Sequence, residues 1–340
     1  MAYTTIKKPS DYFNTVLYTG NGSTQSITGV GFQPDMLWGK NRSSVTNHEL
    51  TDVVRGINQR LKPNDTDADQ TNTNTFTSFD SDGFSLGTDA DVNASGANHV
   101  VWSWKANGTG VSNTVGDINS TVSVNTTSGF SIVQWTGNGT AGSTVGHGLG
   151  SEMKFMILKD YSLSRSWLTY HHSLGNQSGI NFNESGVAGT GNNAYWNSTS
   201  PTSNVFSTGV YSNENNSNYI CYCFSEVKGF SKFGSYIGNG STDGTFCFTG
   251  FKPAFIIVKR TDSTGSWLLM DNKRDTFNVC DAELLANDSF QETLATNLDI
   301  LSNGFKLRTT GGEKNSSGGS YIYMAFAEEP LVGDNPATAR

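Results

Sequence analysis

The same pattern occurs three times along this chain of 340 residues. An aromatic residue comes first, then Gly-Asn-Gly, then a pairing of glycine with an apolar residue. The three copies are YTGNGSTQSITGVGF from Tyr18, WTGNGTAGSTVGHGL from Trp135 and YIGNGSTDGTFCFTGF from Tyr236. A pattern repeated at this spacing indicates one sheet-building unit copied three times.

Each copy contains an Asn-Gly pair that directly follows an apolar-rich segment. Asn-Gly readily takes the positive φ angles of a tight hairpin, so the sequence predicts a β-hairpin in each copy. The predicted hairpin residues are Asn21 and Gly22, Asn138 and Gly139, and Asn239 and Gly240.

The composition favours strands throughout. Charged residues make up only 15% of the chain, and the abundant Gly, Asn, Ser and Thr are poor helix formers. Aromatic residues, at 11%, favour half-buried sheet surfaces, and closing segments such as NHVVWSWKA and NYICYCFSE alternate strongly. We therefore expect an all-β protein of three tandem antiparallel β-sandwiches, each lectin-like or jelly-roll-like.

The repeat also predicts the domain boundaries. The sandwiches are expected at 1–107, 126–228 and 229–329, with a Gly/Ser/Thr/Asn-rich linker at 108–125 and an exposed C-terminal tail at 330–340. One short segment, DAELLAND at 281–288, has the composition of a helical turn.

Charge and hydropathy exclude several functional classes. The net charge of −8 and the pI of about 5.1 provide no basic surface for nucleic acid. No apolar run is long enough for a membrane span, and the first residues lack the apolar core of a secretory signal, so neither membrane insertion nor secretion by that route is expected. The cysteines, Cys221 and Cys223 among them, are expected to be buried free thiols.

Metal and cofactor motifs are incomplete. GNGTAG at 137–142 matches a dinucleotide-binding pattern, but strand and turn signals follow where a helix is required. Asp65, Asp67 and Asp69 resemble the start of a calcium loop without its glycine and its final glutamate, so a solvated acidic loop is the alternative. His171 and His172 lack further ligands at metal-binding spacing. We expect no cofactor and no metal centre, and leave calcium at the three aspartates open.

An Asp-Arg pair recurs at equivalent places in units 1 and 3, as Asp52 with Arg55 and Asp271 with Arg274. Such pairs either grip a ligand or fix the local geometry as a salt bridge. The second interpretation is favoured, because a feature shared by units of divergent sequence more often serves their common scaffold.

Tryptophan is the residue type that most directly indicates a binding surface, because its flat ring can stack on sugars. Four tryptophans, Trp102, Trp104, Trp167 and Trp267, follow strand periodicity or align between units, which predicts core positions. Trp196 lies in the polar stretch NNAYWNSTSPTSN, and we predict that it is an exposed ligand-binding platform.

The stretches DYFNTVLYTGNGSTQSITGVGFQPDMLW, SDGFSLG, SKFGSYIGNGSTDG and YIYMAFAE together resemble a repeat family of uncharacterised domains common in marine bacteriophages. The resemblance spans nearly the whole chain and carries no catalytic residue. It implies a virion structural protein of the tail-fibre type with lectin-like domains, assembled in the host cytoplasm and then extracellular.

Three functions follow as hypotheses. The first is a non-enzymatic virion surface protein, either a receptor-binding tail fibre or a capsid decoration, that forms a homo-oligomer and contacts other virion structural proteins. The second is a lectin-like adhesion module that binds a host surface glycan near Trp196. The third is a polysaccharide depolymerase, which would need two carboxylates at a set separation. No nucleophile motif is present in the sequence.

Overall fold

A computed structural model of the chain describes residues 4–331. Strands account for 44% of the residues and helices for 4%, which confirms the all-β fold with antiparallel sheets. The three repeated units are each built from a main sheet and a smaller sheet that packs on its outer face.

Unit 1 begins with a 3-10 turn at Pro9–Asp11 and contains one short helix, α1 (Ala90–Asn93). Its strands, in chain order, are β1 (Phe13–Thr19), β2 (Gln25–Thr28), β3 (Met36–Asn41), β4 (Glu49–Asp52), β5 (Gln59–Arg60), β6 (Gln70–Thr71), β7 (Phe76–Asp80), β8 (Gly83–Leu86) and β9 (Asn98–Trp104).

Unit 2 has a 3-10 turn at Val210–Ser212 where unit 1 has α1. Its strands are β10 (Val111–Asn113), β11 (Ser120–Asn125), β12 (Phe130–Thr136), β13 (Thr144–Gly146), β14 (Met153–Asp160), β15 (Leu168–His171), β16 (Ile180–Asn181), β17 (Val205–Ser207) and β18 (Asn218–Ser225).

Unit 3 carries the helix α2 (Gly312–Asn315) at the same place. Its strands are β19 (Ser231–Ile237), β20 (Phe246–Phe248), β21 (Phe251–Arg260), β22 (Trp267–Asp271), β23 (Cys280–Leu285), β24 (Thr293–Leu301), β25 (Gly304–Leu307) and β26 (Ser320–Pro330).

The main sheets share one strand order. In each unit the opening strand pairs with the closing strand, and the second and third strands follow: β1-β9-β3-β4, β12-β18-β14-β15 and β19-β26-β21-β22. The small sheets are β2-β8-β7 in unit 1, β13-β17 in unit 2 and β20-β25-β24 in unit 3. A separate apolar core fills the space between the two sheets of each unit. The sandwich architecture therefore repeats with the sequence.

The inner faces of the three main sheets pack against each other in one central core. Trp104, Phe224 and Phe326 occupy the same register position of the three closing strands, and all three lie in that core. The units are arranged around a pseudo-threefold axis, and each main sheet is covered on both faces.

Three buried lysines fasten neighbouring units to each other. Lys40, Lys159 and Lys259 occupy equivalent positions on the second strands and are at most 1% exposed. Each ammonium group donates to backbone carbonyls of its own unit and of the preceding one: Lys40 to Ser289 (3.2 Å), Lys159 to Thr66 (3.0 Å) and Lys259 to Gly186 (2.8 Å). Because Lys40 of unit 1 donates to Ser289 of unit 3, these hydrogen bonds link the three units in a closed ring.

A second set of hydrogen bonds between neighbouring units joins the start of the third strand of each main sheet to the preceding unit. The Trp167 and Trp267 indoles donate to the carbonyl oxygens of Lys62 and Asn181 at 3.1 and 2.9 Å. His48 stands at the same position of unit 1, and its Nε2 lies 2.9 Å from the Leu285 oxygen. Because the Trp38 indole donates to His48 Nδ1, the proton of His48 is on Nε2, and the ring donates like the two indoles.

The recurring Asp-Arg pairs lie at two of the three unit boundaries. Asp52 and Arg55 are at most 1% exposed with their charged atoms 2.7 Å apart, and Asp271 and Arg274 are fully buried at 2.6 Å. At the third boundary, between units 2 and 3, neutral residues stand in place of the Asp-Arg pair. His171 accepts the Ser173 amide on Nδ1 and lies 3.3 Å from the Tyr323 oxygen through Nε2.

A side chain of the neighbouring unit donates a hydrogen bond to each of these two carboxylates. Tyr222 donates its hydroxyl to Asp52 at 2.8 Å, and the Trp102 indole donates to Asp271 at 3.1 Å. At the third boundary the equivalent of these donors is Met324, which has no proton to donate, and the carboxylate is absent too. Donor and acceptor are therefore replaced together, and the pairs serve the scaffold.

The hairpins predicted at the Asn-Gly pairs do not form, because the strands on either side of each pair are not neighbours in a sheet. The glycines do have positive φ angles, between 66° and 74°. Each asparagine caps its own turn, and a buried asparagine from the α1, 3-10 or α2 corner holds it. Asn315, for example, donates to Asn239 Oδ1 and to the Ser241 oxygen at 2.9 and 2.8 Å. Each Asn-Gly pair is a corner between two sheets.

Two further expectations are corrected. The segment 108–125 is not a free linker, because β10 and β11 extend the main sheet of unit 2 and the residues between them pair with β13. The segment 281–288 is not helical, because Cys280–Leu285 is the strand that connects the two sheets of unit 3. Of the expected tail, Pro330 ends β26, and residues 332–340 lie outside the described part of the chain.

Candidate functional site

The pseudo-threefold repeat makes it possible to compare one corner in all three units, where the third strand, the following short strand and the helix or turn before the closing strand meet. Unit 1 fills this corner with charge. Glu49 is fully buried, and its Oε1 lies 3.3 Å from Arg60 Nη1. Burial raises the pKa of Glu49 well above its usual range, against the opposing effect of Arg60. Burial also raises the pKa of Asp91, on α1.

Unit 3 fills the same corner in another way. Glu283, at the position of Arg60, pairs with Lys314 of α2, and both residues are only 8% exposed. Arg260 reaches across the corner and donates to the Gly312 oxygen at 2.8 Å. Units 1 and 3 therefore close this corner with ion pairs.

Unit 2 has neither of these ion pairs at the corner, and the Tyr195 ring packs on the glycine that stands there. The residue equivalent to Arg60 and Glu283 is Gly179, and Leu168 stands in place of Glu49. Beside Leu168 and Tyr195 lies a cleft of about 260 Å³, which we call the unit 2 cleft. Its lining residues are Leu158, Asp160, Arg165, Ser166, Leu168, Asn181, Tyr195 and Tyr211.

Two tyrosine rings form one wall of the unit 2 cleft. Tyr195 and Tyr211 meet edge to face, with ring centroids 5.6 Å apart. Gly179 and Gly189 pair as an isolated bridge, and a side chain on either would collide with the Tyr195 ring. The Tyr211 amide donates to the Ala194 oxygen at 3.1 Å, which fixes the 3-10 turn against Tyr195. Burial, and secondarily Tyr211, raises the pKa of Tyr195.

Polar groups also line the cleft. Asp160 is 3% exposed; its Oδ1 accepts the Ser162 amide and hydroxyl, while its Oδ2 has no hydrogen-bond partner among residues 4–331. Arg165 forms an ion pair with Glu214 at the rim. Ser166 donates to Glu184 at 2.6 Å. An apolar floor, two aromatic rings and polar groups from Arg165, Ser166 and Asn181 can together hold a molecule with one apolar face and several hydroxyl groups.

Trp196 is not the exposed platform that the sequence predicts. It is 2% exposed, its indole donates to the Ser178 oxygen at 2.8 Å, and its ring packs edge to face on Tyr170 with centroids 5.8 Å apart. The neighbouring Tyr195 faces the cleft instead. The aromatic stretch therefore reaches the cleft through Tyr195, whose ring packs on Gly179 and Gly189, and not through Trp196.

The other tryptophans singled out in the sequence are buried as predicted. Trp102, Trp104, Trp167 and Trp267 are at most 2% exposed. All four belong to the central core.

The acidic residues considered for calcium are held by cations. Asp67 pairs with Lys62 at 2.9 Å, and Asp69 pairs with the buried Arg55 at 2.8 Å. Asp65 accepts the amide of Thr66. Within residues 4–331 no group of three or more His, Cys, Asp or Glu side chains is placed to hold a metal ion.

The remaining motifs occupy structural positions. His172 Nε2 lies 2.9 Å from the Phe233 oxygen of unit 3, and burial lowers the pKa of His171 to about 3. The GNGTAG stretch leads into the short strand β13. Cys221 and Cys223 are buried free thiols on one face of β18.

The fold and the cleft together define a class: an all-β protein of three sandwich units closed around a pseudo-threefold axis, with a cleft in one unit beside two aromatic rings. The profile of a domain of unknown function (DUF7483) matches residues 8–330, so the chain belongs to that family. No curated protein and no solved structure matches the chain. In the part of the chain that the structure describes, neither helix has the length and hydropathy needed to cross a membrane.

Proposed function

We propose that this protein is a non-enzymatic carbohydrate-binding module, and that the unit 2 cleft is its binding site. The observation that carries the proposal is the Tyr195–Tyr211 pair beside the polar lining residues Arg165 and Ser166, at a corner where both sister units have ion pairs instead. A pyranose ring presents a flat apolar face and a rim of hydroxyl groups, which suits aromatic stacking combined with hydrogen bonds to carboxylate and amide groups.

Binding rather than hydrolysis suits this arrangement. Asp160 is the one carboxylate among the eight lining residues, whereas glycoside hydrolysis ordinarily uses two carboxyl groups that flank the scissile bond. The buried Glu49, which pairs with Arg60, and the nearby Asp91 lie in unit 1 and do not line the cleft. Release of reducing ends from a polysaccharide that binds the protein would contradict the non-enzymatic part of this proposal.

The binding site is tested with a glycan array followed by calorimetric titration of the best monosaccharide or oligosaccharide hit. Tyr211 is 51% exposed, so Tyr211→Ala should leave the fold intact. Loss of one stacking ring is expected to weaken binding by about tenfold, or about 1.4 kcal/mol. Val210→Ala is the matched control, because Val210 is equally exposed at 56% and does not line the cleft.

Two results would remove the proposal. One is the absence of any glycan hit at millimolar concentrations. The other is a glycan that binds the Tyr211→Ala protein and the Arg165→Ala protein, both changed in the cleft lining, with the same affinity as it binds the parent protein.

The biological setting we propose is the surface of a virion, as a tail-fibre or capsid-decorating protein that contacts other virion proteins and presents the cleft to a host glycan. The support is the resemblance of the repeated stretches to phage repeat domains and the threefold arrangement of the units. Immunogold electron microscopy of purified particles tests it, with labelling of the particle surface as the expected result. Absence of the chain from purified particles would exclude this setting and leave the glycan proposal untouched.

A further inference from the structure

The small sheets of the three units each end in an edge strand, and the three edges differ. The edge strands are β2 in unit 1, β13 in unit 2 and β20 in unit 3. An exposed edge presents unpaired backbone groups to other chains, so proteins normally cover it or make it polar.

Units 1 and 2 protect their edges in these two ways. In unit 1 the outward side chains of β2 are polar, and Ser26 hydrogen-bonds to Ser85 at 2.9 Å. In unit 2 a segment of the chain itself pairs with the edge. The amides of Asp117 and Ile118 donate to the Thr144 oxygen at 2.9 and 3.0 Å, and the Thr144 amide donates to the Asp117 carboxylate at 2.9 Å.

Unit 3 has neither a polar edge strand nor a segment that covers the edge. Phe246 and Phe248 stand at the positions of Ser26 and Thr28, and they are 44% and 55% exposed. The chain passes from β18 to β19 within a few residues, so unit 3 has no counterpart of the segment that covers β13. Its edge is apolar and uncovered within residues 4–331.

The backbone of β20 is oriented for pairing. The Thr245 carbonyl oxygen accepts a hydrogen bond from the Leu307 amide, and the Thr249 amide donates to the Asn303 oxygen. The backbone groups of the odd-numbered residues therefore face β25. The amides and carbonyls of Phe246 and Phe248 therefore point away from the sheet. Neither residue has a backbone hydrogen bond on that side among the described residues.

We propose that β20 is a self-association edge, at which two copies of this chain pair antiparallel about a twofold axis at Cys247. In this register Phe246 of one copy lies opposite Phe248 of the other, and the two residues exchange both of their outward backbone hydrogen bonds. The apolar rings then meet as cross-strand aromatic pairs. An isologous contact of this kind needs one self-complementary patch, which a strand with phenylalanine on both sides of its centre provides.

A strand of three residues buries little area, so the association is expected to be weak, with a dissociation constant on the order of 100 μM. Sedimentation velocity of the full chain between about 5 and about 500 μM covers this range. The expected result is a monomer at the low end and a growing dimer fraction at the high end.

The chain itself provides the matched variant. Phe246→Ser with Phe248→Thr gives unit 3 the residues that unit 1 carries at these positions, and both side chains point to solvent. The double variant should stay monomeric over the whole range, with a melting temperature within about 2 °C of the parent, as expected for surface substitutions. Phe277→Ser is the control, because Phe277 is 79% exposed and lies outside the edge strand. It should dimerise like the parent.

Three outcomes would overturn the inference. The parent chain remains monomeric at the highest concentration, the double variant dimerises as strongly as the parent, or Phe277→Ser abolishes the dimer as fully as the double variant does. A parent that is monomeric while a chain truncated after residue 331 dimerises would assign the edge to the chain's own residues 332–340 and reject self-association of the full chain.

Discussion

Replacing Arg55 with leucine tests whether the unit boundaries depend on fully compensated charge. Arg55 and Asp52 are at most 1% exposed, so Arg55→Leu leaves the Asp52 carboxylate buried without its cation. Breaking a buried ion pair in this way costs about 3–5 kcal/mol. Unfolding entropy of about 2.1 cal/mol/K per residue gives about 0.7 kcal/mol/K for 340 residues. The melting temperature should therefore fall by about 4–7 °C.

The boundary between units 2 and 3 suggests substitutions that should restore the lost stability. His171, Leu174 and Met324 occupy there the places of Asp52, Arg55 and Tyr222. The triple variant Asp52→His, Arg55→Leu, Tyr222→Met removes donor, acceptor and cation together and leaves only the Asp69 carboxylate, which is 13% exposed, without its cation. It should recover at least half of the loss, because a well-packed neutral group replaces a buried ion pair at little cost.

Differential scanning calorimetry at pH 7 measures both changes. Lys8→Met is the control, because Lys8 and its partner Asp11 are 68% and 47% exposed and such pairs contribute about 1 kcal/mol or less. An Arg55→Leu protein that melts within about 1 °C of the parent would refute the reasoning, as would a triple variant that is no more stable than the single one.

Three further predictions concern buried polar groups. Burial lowers the pKa of His99 from 6.5 to about 4, so the unfolded chain binds its proton first and stability is lost as the pH falls from 6.5 towards 4. His99→Tyr, which copies Tyr219 of unit 2, should reduce the urea-unfolding loss between pH 7 and 4.5 by about 2.5 kcal/mol, and an unchanged pH profile would count against it. Asn315→Ala should cost about 2–4 kcal/mol in the same assay, because Asn239 and the corner around it lose their partners; a cost below about 0.5 kcal/mol would show that the corner does not depend on Asn315. Trp196→Phe should lower stability by about 1–3 kcal/mol while glycan affinity stays within about twofold, and the opposite pattern would restore Trp196 as a ligand platform.

The repeat in the sequence predicted the class and the architecture of the fold because strand alternation and turn residues are local signals. The Asn-Gly pairs illustrate how far such signals extend. Positive φ at Gly22 is a local property, but the partner of each flanking strand depends on distant contacts, such as the hydrogen bond from the Asn21 amide to Asn93, 72 positions further along the chain. Local sequence therefore located the turn and left the sheet pairing undetermined.

The segments that depart from expectation are governed by tertiary packing. Residues 108–125 have the composition of a linker, yet β10 and β11 pair there because unit 2 offers them a sheet edge. Cys280–Leu285 includes good helix formers, but it is a strand because it pairs with β22 of the main sheet and with β24 of the small sheet. The tyrosines of the unit 2 cleft were missed for a similar reason, since only alignment of Gly179 with Arg60 and Glu283 shows that one corner lacks an ion pair.

The ring of lysine contacts has a consequence for the order in which the protein can fold. Unit 1 meets unit 3 through Lys40 and Ser289, which are 249 positions apart, so the inner apolar face of unit 1 stays exposed during synthesis until unit 3 has also been made. Maturation therefore depends on contacts between residues that are far apart in sequence, and a messenger truncated after two units would yield a product prone to aggregate rather than a smaller working version of the same protein.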